Sequence, residues 1–166
     1  MRLANPYRSG WGMATLSALA ANFNVVALYN NSAAAEMLAV HHLNVIVVGN
    51  NQWGLALVNG SFGSLANPVQ SVVSGQAAPP GQIFTAQLAP APTFFYSFGG
   101  NGTFSLPWTH DFPLAVLQPN SALLVVSNTV NLALTASFWF TAVQPEMLTE
   151  WRDWDLPPPS AAASGR

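Results

Sequence analysis

The sequence has no cysteine and no lysine, and charged residues make up only 6% of it. Each shortage removes a class of function. Without cysteine there is no disulfide framework and no thiolate metal site. Without lysine there is no phosphate-binding loop of the Walker kind. The cations are Arg2, Arg8, Arg152 and Arg166, all near the chain ends, so no cationic stripe can track a nucleic acid backbone. Long apolar runs are missing too. The longest candidate, 33–48, is interrupted by Glu36, His41, His42 and Asn44, whereas a spanning helix needs ~20 apolar residues. No membrane segment is expected. The short Ala/Leu stretch near the N-terminus is broken by Asn, Pro, Tyr and Gly and does not read as a secretory leader.

Catalytic constellations are equally sparse. Of the acids, Glu146, Glu150, Asp153 and Asp155 fall in the C-terminal segment, which leaves Glu36 and Asp111 for the body of the chain. Any carboxylate pair for glycoside hydrolysis would have to be those two. His41 and His42 are adjacent, and neighbours on a strand point to opposite faces, so they are poorly placed to share a metal. His110-Asp111, in the bend PWTHDFP, reads as a hydrogen-bonded loop pair. No Gly-x-Ser-x-Gly elbow is present. Asn30, Asn59 and Asn101 each open an Asn-x-Ser/Thr triplet, as chance provides in a chain rich in these residues. The expectation is a protein that is not an enzyme and carries no cofactor and no metal.

Hydrophobic residues, in contrast, make up 51% of the chain, with 6 tryptophans. The polar surface must then be built from Asn, Ser, Thr and Gln. Such a surface repels copies of itself weakly and suits burial against partners. Gly, Pro and Asn punctuate the chain at the spacing of an all-β sandwich or barrel. Strands are expected at 13–20, 23–30, 37–48, 52–58, 93–98, 103–106, 114–117, 122–127 and 131–142, with shorter ones near 69–73 and 82–88. The segment 33–43 has helical composition at its start but runs without a breaker into β-branched residues, and is read as one long strand. Gly49-Asn50-Asn51 reads as a strand end. Asn59-Gly60 and the GGNG at 99–102 read as hairpin turns. The organisation expected is an N-terminal arm at 1–12, a β-sandwich at 13–143, and an amphipathic segment with a Pro-rich tail at 144–166.

Along 131–142 one face reads Leu132, Leu134, Ala136, Phe138, Phe140 and the other Ala133, Thr135, Ser137, Trp139, Thr141. Trp139 thus sits on the face built for water. Two covers are open: the chain's own loop or tail, or a neighbouring chain that it anchors. Leu123 to Val126 are apolar on both faces, as a strand covered on both sides would be. In QPEMLTEWRDWDLPPP, Met147, Trp151 and Trp154 fall on one helix face after Pro145. That face docks on its own sandwich or on a neighbour. Tyr7, Arg8 and Trp11, in NPYRSGWG, are further interface candidates.

The stretches LYNNSAAAEMLAVHHLNVIVV (28–48) and FPLAVLQPNSALLVVSNTVNLALTASFWF (112–140) resemble the turn-then-long-strand and closing-strand patterns of small β-sandwich virion proteins of tailed bacteriophages. The resemblance implies a jelly-roll-like sandwich, often trimeric. It also implies a capsid-decorating (cement) or head-fibre role on the virion surface, with the chain itself and the major capsid protein as partners. The alternative is a receptor- or glycan-binding knob, which should gather aromatics and Asn on loops such as 49–53 or 99–110.

Overall fold

A computed structural model describes residues 8–18, 21–60, 65–88, 93–107 and 113–145. These residues form ten strands: β1 (Arg8–Leu16), β2 (Phe23–Tyr29), β3 (Met37–Asn59), β4 (Leu65–Pro68), β5 (Gln70–Ser71), β6 (Gln82–Leu88), β7 (Tyr96–Pro107), β8 (Ala115–Leu117), β9 (Ser121–Ser127) and β10 (Leu134–Val143). Every pairing is antiparallel. The expected all-β sandwich is what forms.

Strands β3 and β7 are each too long for one sheet and serve both. Residues 37–47 of β3 pair with β10 on one edge, and with β8 and the second part of β7 on the other. Residues 51–59 pair with the first part of β7 and with β9. The first sheet therefore runs β5-β1-β10-β3-β7, and the second β4-β6-β2-β9-β3-β7. Take the two parts of β3 and of β7 as separate strands and set aside the short or added β4, β5, β6 and β8. The eight that remain lie in the orders 1-8-3-6 and 2-7-4-5, which is the jelly-roll arrangement.

The crossings between sheets correct two expectations. The register of β3 and β7 shifts between Val47 and Asn51, opposite Gly100 and Gly102. These glycines have φ of 141° and 123°, a region that disfavours residues with a Cβ. Gly49-Asn50-Asn51 is thus no strand end, and GGNG is no hairpin. Both are corners, facing one another, where the paired strands bend from one sheet into the other. Nor does Asn59-Gly60 close a hairpin, because β4 pairs with β6 rather than β3. Gly60 donates its N–H to the Asn120 carbonyl at 2.6 Å instead.

The stretch before β3 is fixed by a buried side chain. Asn30 is fully buried; its Nδ2 donates to the carbonyls of Glu36 (2.8 Å) and Leu117 (2.9 Å), while its Oδ1 accepts from Ser32 N. This is turn chemistry, and it makes Asn30 a structural pin. Asn24 does the same for β2, bonding Ser17 O and Leu132 O.

Between the sheets lies one core, with Leu28, Leu38, Leu43, Trp53, Leu55, Ile83, Leu117, Leu123, Leu134, Phe138 and Phe140 each at most 2% exposed. Burying each such side chain contributes about 1.5–3 kcal/mol. Strand β1 begins at Arg8, so residues 8–12, expected in an arm, belong to the first sheet. The expected C-terminal helix or tail falls, beyond Pro145, outside the described residues.

Candidate interaction surface

The outer face of the first sheet follows from strand alternation. Since Phe138 and Phe140 face the core, Ser137, Trp139 and Thr141 face out. Register then assembles the face in cross-strand rows. One row is Gln70, Trp11, Trp139 and His42. The next is Met13, Ser137, Asn44 and Ser105. A third is Thr15, Thr135, Ile46 and Thr103. A bulge between Trp139 and Phe140, in which His41 is the extra residue of β3, keeps His42 in the first row.

The centre of this face is aromatic. Trp11 and Trp139 stack at 6.2 Å between ring centroids with 24° between planes. Trp139 nevertheless remains 44% exposed; Met13, in the next row, is exposed too, as are Ile46 and Val48 further along β3. The polar side chains of the face bond largely to each other. His42 Nε2 pairs with Asn44 Oδ1 at 3.0 Å and Ser105 Oγ at 2.8 Å. Thr15 and Thr135 hydroxyls pair at 2.8 Å, and those of Ser9 and Thr141 at 3.3 Å. Groups already paired in this way lose little when a partner removes water from above them.

Charge is absent from the face. Among the described residues, histidines aside, the ionisable charges are Arg8 and Glu36, and they pair with each other. Arg8 Nη2 reaches both Glu36 carboxylate oxygens, at 2.6 and 2.5 Å. Ser32 Oγ and Gln144 Nε2 also donate to that carboxylate. The arrangement ties the start of β1 to the segments that precede β3 and follow β10. Glu36 thereby holds several chain segments together.

At the margin, between β1 and the β4–β5 segment, a cleft of about 240 Å³ is lined by Trp11, Gly12, Met13, Asn67, Pro68 and Gln70.

Of the residues singled out in the sequence, Trp11 and Trp139 are brought together and Arg8 is bound to Glu36. Tyr7, Met147, Trp151, Trp154, His110 and Asp111 lie outside the described residues. The surface partners Met13, Asn44, Ile46 and Gln70 were missed, because only register places them on one face with Trp139. The aromatics that a sugar-binding loop would need at 49–53 are not on a loop: Trp53 is fully buried in β3, stacked on Phe98 at 4.1 Å.

The opposite outer face, on the second sheet, is also apolar but is closed. Val25, Ala27, Ala56, Ala122, Leu124 and Val126 are at most 1% exposed, with Phe23, Tyr29, Phe84, Leu88 and Phe94 packed against them. Gly54 makes room for this cover, since a Cβ there would collide with the Phe94 ring.

No protein-family model, no curated protein and no solved structure matches this chain.

Proposed function

We propose that this protein is a non-enzymatic structural component that docks the outer face of its first sheet on a regular protein surface, as a decoration or cement protein does on a virus capsid. The observation that carries this reading is the face, free of charge among the described residues, on which Trp139 is exposed together with Met13 in the next row and Ile46 and Val48 further along β3. An exposed tryptophan flanked by self-paired polar groups has the composition of an interface anchor with its rim. Size argues for a lattice. Five strands about 4.8 Å apart and roughly 30 Å long cover roughly 700 Å² at most. That is less than the ~800 Å² each partner contributes to an ordinary stable complex. A face of this size holds best when many copies act together.

The test is co-sedimentation with empty shells assembled from a tailed-bacteriophage major capsid protein. The wild-type protein is expected to bind saturably. Trp139→Ser, at the centre of the face, is expected to weaken binding about 30-fold, the effect of losing a central aromatic anchor worth about 2 kcal/mol. Binding that survives this change undiminished, or no binding by the wild type, overturns the reading.

A second reading has its own observation, the cleft beside Trp11. An indole wall with the carboxamides of Asn67 and Gln70, and no charge nearby, suits a neutral sugar, because each carboxamide offers both a donor and an acceptor to ring hydroxyls. Glycan-array binding that disappears with Gln70→Ala, without capsid binding, would favour it.

A further inference from the structure

The two sides of the sandwich end differently. On one side the sheets end in β4, of 4 residues closing on Pro68, and β5, of 2 residues. Short edges and proline are the usual protection against unwanted strand pairing. On the other side β7 ends both sheets at once and runs for 12 residues. From Tyr96 to Leu106 it has no Lys, Arg, Asp, Glu or Pro. Among the described residues β7 pairs with β3 alone, so on its far edge the N–H and C=O groups of alternate residues lack a strand partner. The core-facing Phe98, Phe104 and Leu106 stay only partly buried there.

The sequence of this edge reads almost the same in both directions. Ser97-Phe98-Gly99-Gly100-Asn101-Gly102-Thr103-Phe104-Ser105 is a palindrome about Asn101, broken only at Gly99 and Thr103. The positive-φ glycines that form the corner, Gly100 and Gly102, flank its centre symmetrically. Antiparallel pairing of two identical strands about a two-fold axis at Asn101 sets Ser97 opposite Ser105, Phe98 opposite Phe104, and one bend against the other. Such a contact is isologous and closes on itself.

We propose that β7 is a self-pairing edge: a second copy of this chain docks on it, antiparallel and centred on Asn101, joining the sheets of two copies and completing the burial of Phe98 and Phe104. This concerns a different surface from the outer face of the first sheet and does not rest on the lattice reading. Either can fail without the other.

The absence of cysteine makes the test direct. In the proposed register the two Asn101 Cα atoms lie about 5 Å apart, within disulfide range. The full chain is expected to have twice the 17.6 kDa chain mass in solution by light scattering. Asn101→Cys is expected to oxidise to a covalent dimer under mild conditions, whereas Val73→Cys, exposed on a loop away from the edge, is expected not to. Ser97→Lys with Ser105→Lys opposes like charges twice across the axis and is expected to weaken the dimer about tenfold. Ser97→Lys with Ser105→Glu pairs opposite charges and is expected to restore it. A monomer, a trimer such as the phage resemblance implies, or a dimer in which Asn101→Cys stays uncrosslinked overturns the proposal.

Discussion

The two outer faces of the sandwich are built from similar material and end in opposite states. On the second sheet, small and branched residues at the surface of β2, β9 and β3 are buried beneath Phe84, Phe94 and their neighbours. On the first sheet, Trp139 and Ile46 stand among Thr, Ser and Asn without such a cover among the described residues. Neither face uses charge. The difference lies in what stands above each sheet. Gly54 lets an aromatic ring lie directly against the strand, so the second face becomes a second core. The first face presents hydroxyls and an amide paired with one another and with His42, around an aromatic centre that stays exposed. A low charge content therefore accompanies two different outcomes in one molecule: one face is internalised and the other stays exposed among the described residues.

Introducing the same charge on both faces breaks this symmetry of composition most sharply. Leu124 is 0% exposed, within the covered face. Leu124→Asp places a carboxylate there without a partner. The cost of several kcal/mol is comparable with the ~5–15 kcal/mol that stabilises a whole domain, and the variant is expected to be unfolded by circular dichroism at room temperature. Ser137→Asp, at the middle of the open face, is expected to fold with its melting temperature within about 3 °C of wild type. A folded Leu124→Asp would mean that the second face is not a core.

Removing the cover is a smaller perturbation. Phe94→Ala takes away the ring that lies over Gly54. Phe94 is half-buried, so the loss is expected at about 2 kcal/mol, below the range for fully buried phenylalanine, and a fall of roughly 4–8 °C in thermal melting should follow. The same variant should bind a hydrophobic dye, because Ala56 and its neighbours become accessible. Unchanged melting would show that Phe94 contributes nothing to closing that face.

These contrasts indicate which parts of the structure were legible in the sequence. The alternation in β10 gave the inward phenylalanines and the outward Trp139, because a strand's period of two is a local property. The doubly apolar run Leu123 to Val126 was legible as a strand covered twice, and its covers lie within the chain on both faces. The corners were not legible. GGNG supplies positive φ at Gly100 and Gly102, Gly49-Asn50-Asn51 has turn-forming composition, and the same residue types serve a hairpin or a bend between sheets; only the partner strand distinguishes them. The stacking of Trp11 on Trp139 was hidden for the related reason that register between distant strands is set by the whole sheet. Asn30 was visible as the first residue of a triplet, but its burial depends on β8 and the residues before β3 arriving around it.

A small expected effect on stability is the most informative about the open face. Trp139→Thr removes a side chain that is 44% exposed and that stacks on the Trp11 ring. The stacking lost is worth about 0.5–1.5 kcal/mol, and threonine, a good strand residue, offsets part of it. Net destabilisation should stay below about 1 kcal/mol, a melting shift of no more than roughly 4 °C. If the tryptophan were there for stability, its removal would resemble the loss of a core aromatic, at about 3–5 kcal/mol. A small melting shift accompanied by a large loss of docking assigns Trp139 to the partner. A large melting shift assigns it to the fold, and the two outer faces would then differ only in how completely each is covered.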